Sequence, residues 1–179
     1  MPLSRALLLI IVCAVLAPIC GAAPFSADAV KAAYLFRFAS YVEWPDRRAG
    51  EEPFVFGVHG ADDVAVHLER LTAGMKLRGR PAQVRRITSA GDLKDVQILY
   101  VGPRVFRGSR SLREAVAARP ILLVTDHRDG LAEGAAVNFI EVNRNLRFEI
   151  SLDVADRSGL RIDSALLSVA ARVNKRSKP

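Results

Sequence analysis

The chain has 179 residues, with 26 Lys and Arg against 19 Asp and Glu for a formal charge of +7, and it holds only two cysteines. Both of these, Cys13 and Cys20, fall within an apolar leader, so the remainder offers no disulfide, no thiol nucleophile and no thiolate metal site. Stability therefore has to come from a hydrophobic core, and a single domain of this size buries roughly two thirds of its unfolded surface, which suffices.

Residues 1–22 combine Arg5, an apolar run from Ala6 to Leu16, the helix breaker Pro18 and the small residues Gly21 and Ala22. That pattern predicts a secretory signal peptide cut after Ala22, because the unbroken apolar run is too short for a comfortable membrane span. A lipoprotein signal through Cys20 fits less well, since Ile19 stands where a small residue is wanted. Loss of Arg5 leaves +6. In an exported protein the counterpart of that charge is an anionic membrane surface, a cell-wall polymer or an acidic protein patch rather than nucleic acid. The positive charge is dense only at 78–86 (RGRPAQVRR) and in the tail at 174–179 (NKRSKP). Most of it reads as solvated surface; the second reading is a docking edge on the strand near Val84 to Ile87. The domain is expected over 23–173, with 174–179 as a basic, flexible tail.

The first predicted element is a helix of about four turns between Ala27 and Pro45. Tyr34, Phe36, Phe38, Tyr41 and Trp44 lie in this stretch. Ser26 or Asp28 can accept from a free first-turn amide, and Pro45 pushes Trp44 out of the helical region. Polar residues Lys31, Arg37, Ser40 and Glu43 are spread around the cylinder, which predicts a helix covered on more than one side.

Phe54 to Val58 reads as a strand buried on both faces, followed by a helix from Asp63 to Leu71 capped by Asp62, with Val64, Leu68 and Leu71 on its apolar face. Gly57 and Gly60 make neither GxGxxG nor a P-loop. A hairpin or irregular strand turning at Gly79 leads to a second buried strand, Val96 to Val101. A short helix capped by Ser109 or Ser111 and stopped by Pro120 precedes a third, ILLVTD. Two further strands join at Asn143 to Asn145, with Phe148 and Ile150 toward the core and Arg147 and Glu149 on the opposite side. Asp153 is expected to cap a helical turn stopped by Gly159, and Asp163 a last helix striped by Leu166, Ala170 and Val173. The expected fold is a single compact α/β domain. It has a mostly parallel central sheet, helices on both faces and a late antiparallel hairpin, Rossmann-like without a dinucleotide fingerprint.

Chemistry is sparse. His59 and His127 each follow a strand at the expected carboxyl edge, where open α/β sheets bind ligands, and Asp62, Asp126 and Asp129 are near in sequence. Two imidazoles without a tight spacing motif do not define a metal site, and surface-loop roles account for them. No serine sits in a GxSxG elbow, and no nucleophile, base and electrophile can be nominated together. Neither a cofactor nor a metal is expected.

The segments VKAAYLFRFASYVEWP, FVFGVHG, LLVTD, AVNFI, RFEIS and GLRIDSALLSVAARV, in that order, resemble the YfiR family of exported regulators in bacterial cyclic-di-GMP signalling. The resemblance implies a non-catalytic α/β domain in the periplasm that can dimerise. It further implies that the domain represses an inner-membrane diguanylate cyclase and is drawn off by an outer-membrane-associated lipoprotein under envelope stress. Where relatives carry a Cys-His pair this chain has Val96 and Gln97; Ser151, Asp163 and Ala135 also depart from the pattern. The contact surface expected on this basis comprises Arg147 and Glu149 with Arg161, Asp163, Ser164 and Leu167 beside them, and Trp44 as a buried anchor. The alternative is a periplasmic small-ligand sensor using His59 and His127.

Overall fold

The computed structural model describes residues 26–45, 52–117 and 119–175. The expected leader at 1–22 and the end of the tail at 176–179 lie outside them.

Helix α1 (Ala27–Tyr41) starts at Ser26, whose hydroxyl accepts from the Ala29 amide at 3.1 Å. Its 15 residues make the four turns expected, and Val42–Glu43 then leave the helix as strand β1, ahead of Pro45. Strand β2 (Phe54–His59) leads to helix α2 (Asp62–Thr72). The Asp62 side chain does not cap α2; it takes an ion pair from Arg86 at 3.2 Å. Leu71, assigned above to the apolar face, is 41 % exposed, whereas Val64, Ala65 and Leu68 are buried. A hairpin of β3 (Lys76–Leu77) and β4 (Arg80–Arg86) follows, turning through Arg78 and Gly79, both at positive φ.

Strand β5 (Val96–Val101) enters a helical stretch of α3 (Pro103–Phe106), a 3₁₀ turn (Arg107–Ser109) and α4 (Arg110–Ala117). Ser109 is thus an interior residue of that stretch and not its start. Strand β6 (Leu122–Thr125) precedes the hairpin of β7 (Val137–Val142) and β8 (Asn145–Ser151). Asn143 and Arg144 both take positive φ at its two-residue turn, as a twisted hairpin requires. Ser151, not Asp153, caps α5 (Leu152–Arg157), its hydroxyl accepting from the Val154 amide. Strand β9 (Arg161–Ile162) and α6 (Ser164–Val169) complete the expected elements, with Asp163 accepting from the Ala165 amide at 2.7 Å. Helix α6 stops before Ala170, and the chain then forms strand β10 (Arg172–Asn174), where a helical stripe and a loose tail were expected.

The main sheet has eight strands in the order β10-β8-β7-β6-β5-β2-β4-β3. Strands β4, β2, β5, β6 and β7 run parallel, β8 is antiparallel to β7, and β10 is parallel to β8. The two-residue strands β1 and β9 pair separately as an antiparallel ribbon. Period-2 alternation divides the sheet between two cores. Phe54, Phe56, Val58, Ile98, Tyr100 and Phe139 face α1 and α2; Val55, Leu99, Val101 and Leu123 face Phe106, Leu112 and Val116 of the α3–α4 stretch. Tyr34 and Phe38 of α1 meet Phe139 and Phe148 at centroid distances of 5.2 to 5.9 Å, so the aromatic helix packs its ring face into the core of its own domain.

Candidate functional site

In this strand order the chain leaves β2 to one side through α2 and β4 and returns to β5 on the other. The crevice outside the carboxyl ends of β2 and β5 is therefore the switch point where an open α/β sheet holds a ligand. Here it is closed. The Gly102 amide donates to the His59 carbonyl at 2.9 Å, and a Cβ at Gly102 would run into the Gly60 carbonyl oxygen. Gly60, at φ +65°, is packed in turn against Val105 of α3, so both glycines are required by close approach.

His59 faces inward at this point. Its Nδ1 donates to the Ile87 carbonyl at 2.7 Å, which has only lone pairs to offer, and its Nε2 lies 2.9 Å from the Ser109 hydroxyl. A serine beside a histidine is the germ of a nucleophile and base pair. Ser109, however, is buried inside a helical stretch, and its hydroxyl also engages the Val105 carbonyl at 2.8 Å. The trio ties β2, the end of β4 and the 3₁₀ turn after α3 together.

His127 stacks on Phe106 at 5.4 Å, and its Nδ1 accepts from the Asp129 amide. Arg113 covers Phe106 at 4.6 Å. The two histidines are thus brought to the same helical stretch, but against different residues. By spacing, His127, Asp129 and Glu133 could hold a metal ion, with ligand atoms within 4.8 Å of one another. Both carboxylates already carry cations: Arg107 pairs with Asp129 at 2.8 Å, and Arg113 with Glu133 at 2.7 Å. A depression of about 390 Å³ beside them is lined by Arg110, Arg113, Glu114 and Glu133.

A half-buried polar cluster that the sequence reading missed lies on the other face. Lys31 bridges Asp28 at 3.1 Å and Asp126 at 2.7 Å, and the Tyr100 hydroxyl donates to Asp126 at 2.7 Å. Burial works to lower the Lys31 pKa, but Asp126 and Asp28 together raise it above its ordinary value. Burial, reinforced by the Asp126 charge, pushes the Tyr100 phenol well above its ordinary range. The cluster pins the first turn of α1 to the end of β6. Its signal in the sequence was Lys31, a cation on a helix apolar on nearly every face.

The residues expected at a contact surface divide. Arg161, Asp163 and Ser164 are exposed, next to the β1–β9 ribbon. Arg147 is exposed and donates to the Val169 carbonyl at 3.2 Å. Leu167 is partly buried against the core. Glu149 is not at the surface: it is 8 % exposed, accepts from Asn138 Nδ2 at 3.0 Å and faces Arg172 at 3.5 Å. Strand β10 pairs along the edge of β8 and sets Arg172 beside Glu149 on the same face of the sheet. Trp44 is an anchor within the chain, its indole N–H donating to the Gln97 carbonyl at 3.2 Å and its ring meeting Phe54 edge-on at 5.3 Å.

Among the described residues no helix is long and apolar enough to cross a membrane. The family model described as YfiR/HmsC-like (DUF4154) matches residues 28–171. No curated protein matches the chain.

Proposed function

The chain belongs to the YfiR/HmsC-like family, of periplasmic, non-catalytic regulators in cyclic-di-GMP signalling, and on that premise we propose that it represses an inner-membrane diguanylate cyclase by binding it. The match over residues 28–171 carries this reading, because it covers every described element but β10 and the first residue of α1. The closed crevice at β2 and β5 supports a binding rather than a catalytic role, since the place where this fold would hold a small substrate is occupied by the chain itself. The same closure disfavours a small-ligand sensor built on His59 and His127.

The repressor stabilises the inactive state of the cyclase by preferring it, and a lipoprotein that competes for the repressor relieves the block by mass action. The leader at 1–22 delivers the domain to the periplasm, and a homodimer is compatible with the mechanism. The contact surface is Arg147, Arg161 and Ser164 around the β1–β9 ribbon and α6, extended by Val169, which is 54 % exposed. Overproduction of the chain lowers cellular cyclic-di-GMP, deletion raises it, and the tagged protein co-purifies with a membrane cyclase. Unchanged cyclic-di-GMP in both strains overturns the assignment.

A further inference from the structure

Beyond Pro81, strand β4 is a sheet edge that no other strand pairs among the described residues. The Ile87 amide donates to the Val58 carbonyl at 2.8 Å, and Val84 stands in parallel register with Phe56. Alternation then turns residues 83, 85 and 87 toward β2, and turns Val84 and Arg86 outward. Strand β3 covers only Arg80 and Pro81, and the Ala82 amide goes to the Met75 carbonyl at 3.0 Å. The amides and carbonyls of Val84 and Arg86 have no partner among the described residues.

Two further observations say what fits there. From Arg70 to Gly91 the chain carries six basic side chains and no acidic one. Arg86 is neutralised by Asp62 and Glu69, but Arg78, Arg80 and Arg85 donate to backbone carbonyls and pair with no carboxylate among the described residues. Beside the edge, Leu71 and Met75 are 41 % and 47 % exposed, the only large apolar side chains so exposed on this side of the sheet among the described residues.

We infer that the β4 edge binds an extended, acidic segment of a partner protein by strand addition, with Val84 and Arg86 supplying the backbone pairing and Leu71 and Met75 the apolar contact. Edge cations ordinarily guard a sheet against pairing with its own kind. Here they repel a second copy of the same edge and select an incoming strand of opposite sign. The inference rests on the regulatory reading only for what the partner is, not for the chemistry of the edge.

The test uses the full mature chain and, as probe, a short fluorescent peptide of alternating glutamate and valine, followed by anisotropy. The expected result is saturable binding that is lost when every backbone nitrogen of the peptide is methylated and when lysine replaces glutamate. Val84→Pro removes the outward amide while sparing the bonds to β2, and proline is tolerated on an edge. It weakens binding about tenfold, or roughly 1.4 kcal/mol. Met75→Glu, at an exposed site that does not threaten folding, weakens it similarly. Equal binding of the methylated peptide, full affinity in both variants, or binding only to phosphatidylglycerol vesicles overturns the inference. Failure of the peptide to bind while overproduction still lowers cyclic-di-GMP removes the edge and leaves the regulatory reading; the converse pair of results removes the reading and leaves the edge.

Discussion

Arg78 sits in the β3–β4 turn and its guanidinium reaches back to the end of α1, donating to the Ala39 carbonyl at 3.1 Å and the Val42 carbonyl at 2.5 Å. It also lies 5.6 Å over the Trp44 ring. A cation at the last carbonyls of a helix satisfies groups that the helix cannot. The basic run at 78–86 was legible as charge, but its use as internal caps was not, because the carbonyls it serves are about forty residues away in sequence. Bonds to a charged donor contribute roughly 1.5–3 kcal/mol when sheltered, so Arg78→Met at this exposed turn is expected to cost about 1–2 kcal/mol. Urea unfolding followed by fluorescence of Trp44, the sole tryptophan, measures the loss. Asp92 gives a pH test. The backbone amides of Thr88 and Ser89 hold its carboxyl at about 2, below the ordinary 3.8. Its folded pKa is depressed, so its contribution is complete above 3.8 and disappears as pH falls through 2. Asp92→Asn should flatten the stability profile within that window and leave neutral pH slopes unchanged; an identical acid limb in variant and parent would refute the assignment.

Elements were legible where their signals are local. Ser26 starts α1, the apolar runs at Phe54, Val96 and Leu122 are strands, and the Asn-rich turn makes the late hairpin. The ribbon of β1 and β9 and the edge strand β10 were not, because two or three residues carry no periodicity and exist only through pairing with distant partners. The same limit hid the burial of Glu149, which depends on β10. At the candidate crevice the sequence singled out Gly60 but not Gly102, and only the β2–β5 pairing sets the two against each other. This makes Gly102→Ala a direct probe of closure. Its φ of -61° suits alanine, so any effect comes from the added carbon meeting the Gly60 carbonyl, an overpacking cost of about 1–3 kcal/mol. Thermal unfolding should fall accordingly, whereas an open crevice would absorb the methyl group without loss.

At the scale of the whole molecule, the order of the strands was beyond sequence reading, because it depends on which buried runs become neighbours. The class of fold followed from the runs themselves. Large apolar side chains left exposed among the described residues sit at the two ends of that order: Leu71 and Met75 toward β4, and Val142, Val169 and Val173 toward β8 and β10. A binding protein with a filled crevice has its free surface at such margins. The positions where relatives are expected to carry cysteine and histidine explain how the domain holds without cysteine. Val96 is buried in the core under α4. The Gln97 side-chain oxygen accepts from the Val55 amide at 2.7 Å, where the β2–β5 register slips, and the Gln97 carbonyl receives Trp44. A hydrogen-bonded repair thus stands where a redox-sensitive pair is expected in relatives. The chain from residue 23 onward should unfold at the same temperature with and without dithiothreitol, and, under the proposed function, the cyclic-di-GMP level it sets should not change with the oxidation state of its surroundings. Gln97→Ala leaves the Val55 amide unpaired in a largely buried strand, and a loss of about 1–3 kcal/mol is expected. A melting temperature that moves with reductant, or a Gln97→Ala variant as stable as the parent, would show that something other than this repair holds β2 against β5.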